Sequence, residues 1–241
     1  MTTLPTPTPD LLQVQGLSVR YGRREVVSDV SFSVREGEIV TILGHNGAGK
    51  TTTLKAVFGF LRPSAGQVVL QGRDLTRASC AHKVKAGMCF IPAERFVFAD
   101  LSVLDNLRLG WHRTSKRSLD DHLAEVYGIF PVLNDRRTQV AGTMSGGQQR
   151  MLSVGVALMA EPKLILLDEP SLGLAPAMVQ IVNESLRKLV DAGSVSVVLL
   201  EQNVAQALRI ADRAYVMRSG RIILEEPADE MLARGQWWDL F

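Results

Sequence analysis

Cysteine, net charge and long apolar runs are all scarce in this sequence, and each scarcity excludes something. Only Cys80 and Cys89 occur in 241 residues, and their spacing fits neither a disulfide framework nor a metal-ligand set, so they read as reduced cytosolic thiols. Lys and Arg total 27 against 25 Asp and Glu, a net charge of +2. That balance argues against a dedicated nucleic-acid surface and gives no strong pull to acidic membranes. No stretch approaches the roughly 18 apolar residues that span a bilayer. The amino terminus has no basic-then-apolar signal pattern, and no internal repeat is found. Composition is otherwise that of a soluble globular protein, 46% apolar and 22% charged, long enough for one large α/β domain or a core with a subdomain. MTTLPTPTPD is expected to be a disordered tail over 1–10, leaving 11–241 as the folded part.

Patterns along the folded part alternate between strand and helix. LLQVQGLSVRY and VVSDVSFSV alternate apolar and polar residues, the period of half-exposed strands. EIVTILG, KLILLDEP and VSVVLLEQ contain short apolar runs, which describe strands buried on both faces of a parallel sheet. QVVLQG is another short strand. A more polar helical block from about 95 to 150, with SVLDNLRLGW and LDDHLAEVYGIF as helices, reads as an inserted subdomain. QQRMLSVGVALMAEP and VQIVNESLRKLVDAG are further helices, the second stopped by Gly193. RAYVMRSGRIILEEP reads as a hairpin turning at Ser219-Gly220. Strands separated by helices imply a mostly parallel sheet.

Three motifs carry the chemistry. GHNGAGKT (44–51) fits G-x-x-x-x-G-K-[ST] between a buried strand and a helix. Gly44, Gly47 and Gly49 let the backbone aim N–H groups at phosphate oxygens, and the helix starting near Lys50 adds its positive end. Lys50 should reach the β- and γ-phosphates and Thr51 should bind Mg²⁺; His45, Asn46, Ala48 and Thr52 complete the loop. LILLDEP (164–170) ends a core strand in Asp168, the expected acidic partner of Mg²⁺, followed by Glu169 as candidate general base for an attacking water. In MSGGQQR (144–150), Ser145 is a natural helix cap and Gly146-Gly147 opens the backbone to an anion. A single chain has no use for two phosphate cradles. The second therefore predicts a dimer with ATP sandwiched between subunits.

GHNGAGKT, MSGGQQR and LILLDEP, in this order, resemble the nucleotide-binding subunits of ABC transporters, over about residues 11–226. The resemblance implies an α/β, RecA-like P-loop NTPase core with an N-terminal antiparallel β-subdomain and a helical subdomain. It implies head-to-tail dimers in which Ser145, Gly146 and Gly147 contact ATP held by the opposite subunit. It also places Tyr21 as the adenine-stacking aromatic, with an ordinary strand-end aromatic as the lesser alternative. SLGLAPAMV and LLEQN are similar to the LivF type, the second ATP-binding subunit of branched-chain amino-acid importers, and to urea and short-amide relatives. The partners implied are a second ATPase subunit, two membrane permeases and, indirectly, a solute-binding protein, with this chain on the cytoplasmic face of the membrane.

Several positions depart from the family pattern. Gln202 stands at the switch-histidine position and is expected to face the γ-phosphate as a neutral donor, with Glu201 structural and Asn203 a helix cap. The place of the family's Gln in CFIPAERF falls on Ala93, with Glu94 one residue late. Ala175 replaces an Asp. These departures favour a heterodimer over a homodimer. Phe96, Phe98 and Trp111 fit either a permease groove or the core, while Trp237 and Trp238 in DEMLARGQWWDLF are expected to pack on the core. The alternative reading is a soluble ABC-type ATPase such as the iron–sulfur cluster assembly kind.

Overall fold

The computed structural model describes residues 10–94, 97–111, 117–193 and 195–234. Phe96, Trp237, Trp238 and the amino-terminal tail before Asp10 lie outside the described residues. In chain order the elements are β1 (Asp10–Tyr21), β2 (Arg24–Arg35), β3 (Ile39–Leu43), α1 (Lys50–Phe58), β4 (Ala65–Leu70), β5 (Arg73–Asp74), α2 (Cys80–Lys85) and β6 (Met88–Ile91). Then come α3 (Val103–Gly110), α4 (Leu119–Ile129), α5 (Pro131–Asp135), a 3₁₀ turn (Ala141–Thr143), α6 (Gly146–Leu158) and β7 (Leu164–Asp168). The chain continues through α7 (Pro176–Asp191), β8 (Ser196–Leu200), α8 (Val204–Ile210), β9 (Arg213–Arg218), β10 (Arg221–Pro227) and α9 (Ala228–Arg234).

Two sheets organise these elements. An antiparallel sheet runs β2-β1-β4-β5, and a six-stranded sheet runs β10-β9-β3-β8-β7-β6. Within the second, β9 through β6 are parallel and β10 is an antiparallel edge. Every residue of β3, β7 and β8 is buried. Their alternate side chains enter different cores, as a period of two requires. Ile39, Leu43, Ile165, Leu167, Val197 and Leu199 pack with the helices of one face. Val40, Ile42, Leu164, Leu166, Val198 and Leu200 pack with α1 and the antiparallel sheet on the other. A sheet covered on both faces leaves one place for polar side chains, the strand ends.

Local signals explain the helices. Ser102 and Ser118 cap α3 and α4 by accepting backbone N–H bonds, and α7 buries Val179, Val182, Leu186, Leu189 and Val190, the spacing of one helical face. Residue 193 follows α7 with φ 71°. Strand β6 and helix α2 had no visible pattern in the sequence. Four residues are too few for periodicity, and α2 buries Lys83, whose ammonium donates to the Val57 carbonyl at 2.6 Å. Burial lowers the pKa of Lys83 to about 8.

The β9–β10 turn uses Ser219 (φ 48°) and Gly220 (φ 80°), two left-handed residues as in type I′ hairpins. Its tip is also fastened to other elements: Gly220 donates to the Ala48 carbonyl at 2.9 Å and accepts from the Ser28 amide at 2.8 Å. A Cβ at Gly220 would lie 2.4 Å from the Val26 carbonyl oxygen. Gly220→Ala is therefore expected to cost about 1–3 kcal/mol, lowering the unfolding midpoint by roughly 2–4 °C per kcal/mol. Thermal unfolding of the variant checks this, and an unchanged midpoint refutes it.

Candidate active site

Strand β3 delivers the Gly-rich loop. Gly44 (φ 158°) is extended, and a Cβ there would stand 2.3 Å from the Met217 carbonyl oxygen. Gly49, at φ 107°, admits the turn that starts α1. Lys50, 5% exposed, folds back and donates to the carbonyls of Gly44 at 2.6 Å and His45 at 3.1 Å. Burial pulls its pKa below the ordinary lysine value, and the Glu169, Asp168 and Glu201 carboxylates oppose that pull. A cavity of about 160 Å³ is lined by Val26, Asn46, Gly47, Ala48, Gly49, Lys50, Thr51, Thr52 and Glu169. Val26 gave no signal in the sequence; it arrives from β2 across the chain fold.

Strand β7 delivers the carboxylates. Asp168 is 4% exposed, and its Oδ1 accepts from the Thr51 hydroxyl at 3.1 Å. Burial raises the Asp168 pKa and the Thr51 hydrogen bond works against the rise. A hydroxyl and a carboxylate side by side are hard oxygen donors, a set that suits Mg²⁺, which keeps water and phosphate in its remaining positions. No group of three or more His, Cys, Asp or Glu capable of holding a metal occurs among the described residues.

Strand β8 delivers the third pair. Glu169 sits at φ 43°, and its Oε2 accepts from Gln202 Nε2 at 2.8 Å. Gln202, expected to face a γ-phosphate, is thus placed against the candidate base in this structure. Asn203 caps α8, its side chain accepting from the Gln206 amide. Glu201 is buried, its pKa raised by desolvation against the hydrogen bonds from Ser171 and Gln202.

Lys50, Thr51, Asp168, Glu169 and Gln202 therefore meet at the carboxyl ends of the central strands β3, β7 and β8. Ser145, Gly146, Gly147 and Tyr21 do not line the cavity beside them. Ser145 caps α6 in a reciprocal capping box with Gln148. Ser145 and Gly146 are exposed, while Gly147 is buried; a Cβ on Gly147 would fall 2.6 Å from Met178 Cε, so close packing against α7 is one reason for glycine there. Tyr21 is 50% exposed at the end of β1.

Arg150, three residues past Gly147, went unread in the sequence. It is 1% exposed, and its guanidinium donates to the Pro92 and Ala93 carbonyls, each at 2.9 Å. Burial lowers its pKa to about 10, opposed by the charges of Glu201 and Asp168. Ala93 is thus held by its backbone, and Glu94 is exposed. Both border a larger groove of about 870 Å³ with Val97, Phe98, Ala99, Asp100, Leu101, Gln149 and Leu172. Phe98 is 61% exposed at this groove, whereas Trp111 packs against the helical core. Arg150→Met removes both donors and leaves two carbonyls short of partners, at roughly 1–3 kcal/mol for each one left buried and unsatisfied. Thermal unfolding should show a lowered midpoint; no loss of stability would mean that solvent satisfies these carbonyls.

Comparisons with known proteins bear on this geometry. The family model described as ABC transporter matches residues 27–172. The high-affinity branched-chain amino acid transport ATP-binding protein BraG of Pseudomonas aeruginosa is 41% identical over 231 residues, 96% of this chain and 99% of its own. The probable branched-chain amino acid transport ATP-binding protein LivF of Archaeoglobus fulgidus is 33% identical, covering 92% of this chain and 94% of its own. Among solved structures, a nucleotide-free ATP-binding cassette of an ABC transporter superposes with a TM-score of 0.83 at 26% identity, covering 94% of each chain. The ADP conformation of another ABC cassette gives 0.84 at 25% identity, covering 97% of this chain and 98% of its own. With a P-loop, a strand-end carboxylate pair and a capped glycine signature on one such cassette, the chain belongs to the ABC transporter family as an ATP-binding, ATP-hydrolysing subunit.

Proposed function

We propose that the chain drives uptake of branched-chain amino acids, or related small amides, as one of two ATPase subunits of an importer. The observation that carries this reading is the 41% identity to BraG across nearly the full length of both chains. LptB of Haemophilus influenzae, a relative named for lipopolysaccharide export, is 33% identical, and LptB of Acidithiobacillus ferridurans is 35% identical.

In this reading Asn46 to Thr52 and Lys50 bind the ATP phosphates, with Gly44 and His45 shaping the loop. Thr51 and Asp168 hold Mg²⁺, which when bound supplies charge neutralisation at the phosphates. Glu169 takes the proton of the attacking water, and Gln202, now bonded to Glu169, orients it. Positioning and electrostatics supply most of the rate enhancement. Lys50 spends two of its three ammonium donors on the carbonyls of Gly44 and His45, which leaves the third for a phosphate oxygen.

The cavity of about 160 Å³ is small beside the roughly 300 Å³ and more of ordinary ligand pockets. That shortfall supports a site completed by another subunit, whose signature serine and glycines cover the nucleotide while Tyr21 stacks on its base. Ser145, Gly146 and Gly147 do the same for the partner's ATP. Ala93, Glu94 and Ala175 depart from the family pattern, which favours a heterodimer with unequal sites. The groove bordered by Phe98, Leu101 and Leu172 receives a helix of one of two membrane permeases, which hold the chain at the cytoplasmic face. Glu94 and Asp100 at its rim favour a basic side chain on that helix. A solute-binding protein delivers the amino acid from outside.

Co-expression with the two permeases and the second ATPase subunit tests this. The wild-type chain should sediment with membranes and support ATP-dependent leucine uptake into vesicles. Phe98→Asp should lose at least about tenfold in membrane association, the loss expected when an interface anchor is removed. A chain that stays in the supernatant with its permeases present overturns the importer reading and leaves the soluble ATPase.

A further inference from the structure

Glu201 has no part in the chemistry above, yet both of its oxygens are engaged. Its Oε1 accepts from the Ser171 backbone amide at 3.0 Å, and its Oε2 accepts from the Ser171 hydroxyl at 2.6 Å. The same Oε2 accepts from the Gln202 amide at 3.3 Å. The residue is 3% exposed. Burying a carboxylate is costly unless its lone pairs are used, and an apolar residue would end β8 at no such cost.

The donors belong to two different loops, and both loops bear on Glu169. Ser171 lies two residues beyond it, and Gln202 holds its side chain. Glu169 has the left-handed φ of 43°, a conformation that a side chain adopts only when its surroundings enforce it. Its amide donates to the Leu200 carbonyl at 3.0 Å. The segment from Glu169 to Ser171 is therefore fastened to the end of β8 at two successive points, a carbonyl and then a carboxylate.

We propose that Glu201 is a positioning residue for ATP hydrolysis, clamping Ser171 and the Gln202 backbone so that the strained turn at Glu169 aims its carboxylate at the attacking water. The clamp acts through Glu169 and touches no substrate. It also ties the loop from Ser171 to Ala175, which leads into α7, to the loop carrying Gln202, so the two move as one unit.

Glu201→Gln tests the clamp at constant shape. The amide oxygen keeps the Ser171 N–H bond, but the amide nitrogen is a donor: it can meet the Ser171 hydroxyl only as a neutral bond of reversed direction and cannot accept from the Gln202 amide. Ser171→Ala removes the hydroxyl and provides a second variant should Glu201→Gln fold poorly. Both should lower kcat for ATP by about tenfold or more, as small misplacements of a reacting group do, with KM changed less than about twofold. Ser171→Thr, which keeps the hydroxyl, should restore kcat. The double variant Glu201→Gln/Ser171→Ala should be no slower than the slower single one. Independently of turnover, hydrogen exchange at the amides of Glu169, Ser171 and Leu172 should quicken in Glu201→Gln while the rest of the sheet keeps its protection. An unchanged kcat, a parallel rise in KM, or unaltered exchange at these amides overturns the proposal. Turnover is read in the complex with the second ATPase subunit and the permeases; its absence there in the wild type would count against the proposed importer reading, and the exchange measurement would still decide the clamp.

Discussion

Everything at this site depends on the hydrogen-bond register of three parallel strands. Ile42 of β3 pairs with Leu200 of β8, and Leu200 pairs with Asp168 of β7. That alignment ends the strands together, so the chain turns polar at Gly44, Asp168 and Glu201 along one line of carboxyl strand ends. A slip of one residue would turn each strand's side chains to the opposite face and exchange its contributions to the two cores. The apolar packing that excludes such a slip thereby sets the relative positions of Lys50, Asp168 and Glu169. Function at the strand ends is a consequence of register in the core.

The same region gathers buried charge at a density unusual for an interior. Lys50, Arg150, Asp168 and Glu201 are all 5% exposed or less. Such groups are tolerated when each is paired or hydrogen-bonded. Here Lys50 leans on loop carbonyls, Arg150 on Pro92 and Ala93, Asp168 on Thr51 and Glu201 on Ser171. Three of these contacts join separate elements: Asp168 ties β7 to α1, Arg150 ties α6 to the segment after β6, and Glu201 ties the segment after β7 to the end of β8. Arrival of phosphates and a cation would change the field on all four at once, and two of the segments they hold, at Ala93 and at Ser171-Leu172, adjoin the groove. Charge at the nucleotide is in this way linked to the surface from which motion would be transmitted.

The fold class was legible because short apolar runs ending in polar residues have few alternatives in a chain of this length. EIVTILG, LILLDEP and VSVVLLEQ each became a central strand, and the Asn203 cap and the Ser219-Gly220 turn followed from local chemistry. The short strand β6 was not legible, since four residues carry no period. Lys83 and Arg150 were opaque for a different reason, and Glu201, expected to be structural, gave no sign of what it holds. A charged residue is ordinarily on the surface, and only tertiary contacts reveal that one is buried and what it holds. Gly147 shows the limit from the other side: its place in MSGGQQR points to an anion, whereas its packing on Met178 is visible only in the folded chain. The contact between Gln202 and Glu169 likewise joins positions 33 residues apart, beyond the reach of spacing arguments.

The central claim is that the shared line of strand ends makes Glu169 the base for a water attacking ATP bound at Lys50 and Thr51. Single-turnover hydrolysis by Glu169→Gln, measured beside its equilibrium binding of Mg-ATP, tests it most directly. The account predicts hydrolysis slowed by about 10²-fold or more, in the range for loss of a positioned base, with ATP affinity held within about threefold. Hydrolysis at the wild-type rate with ATP demonstrably bound would contradict it.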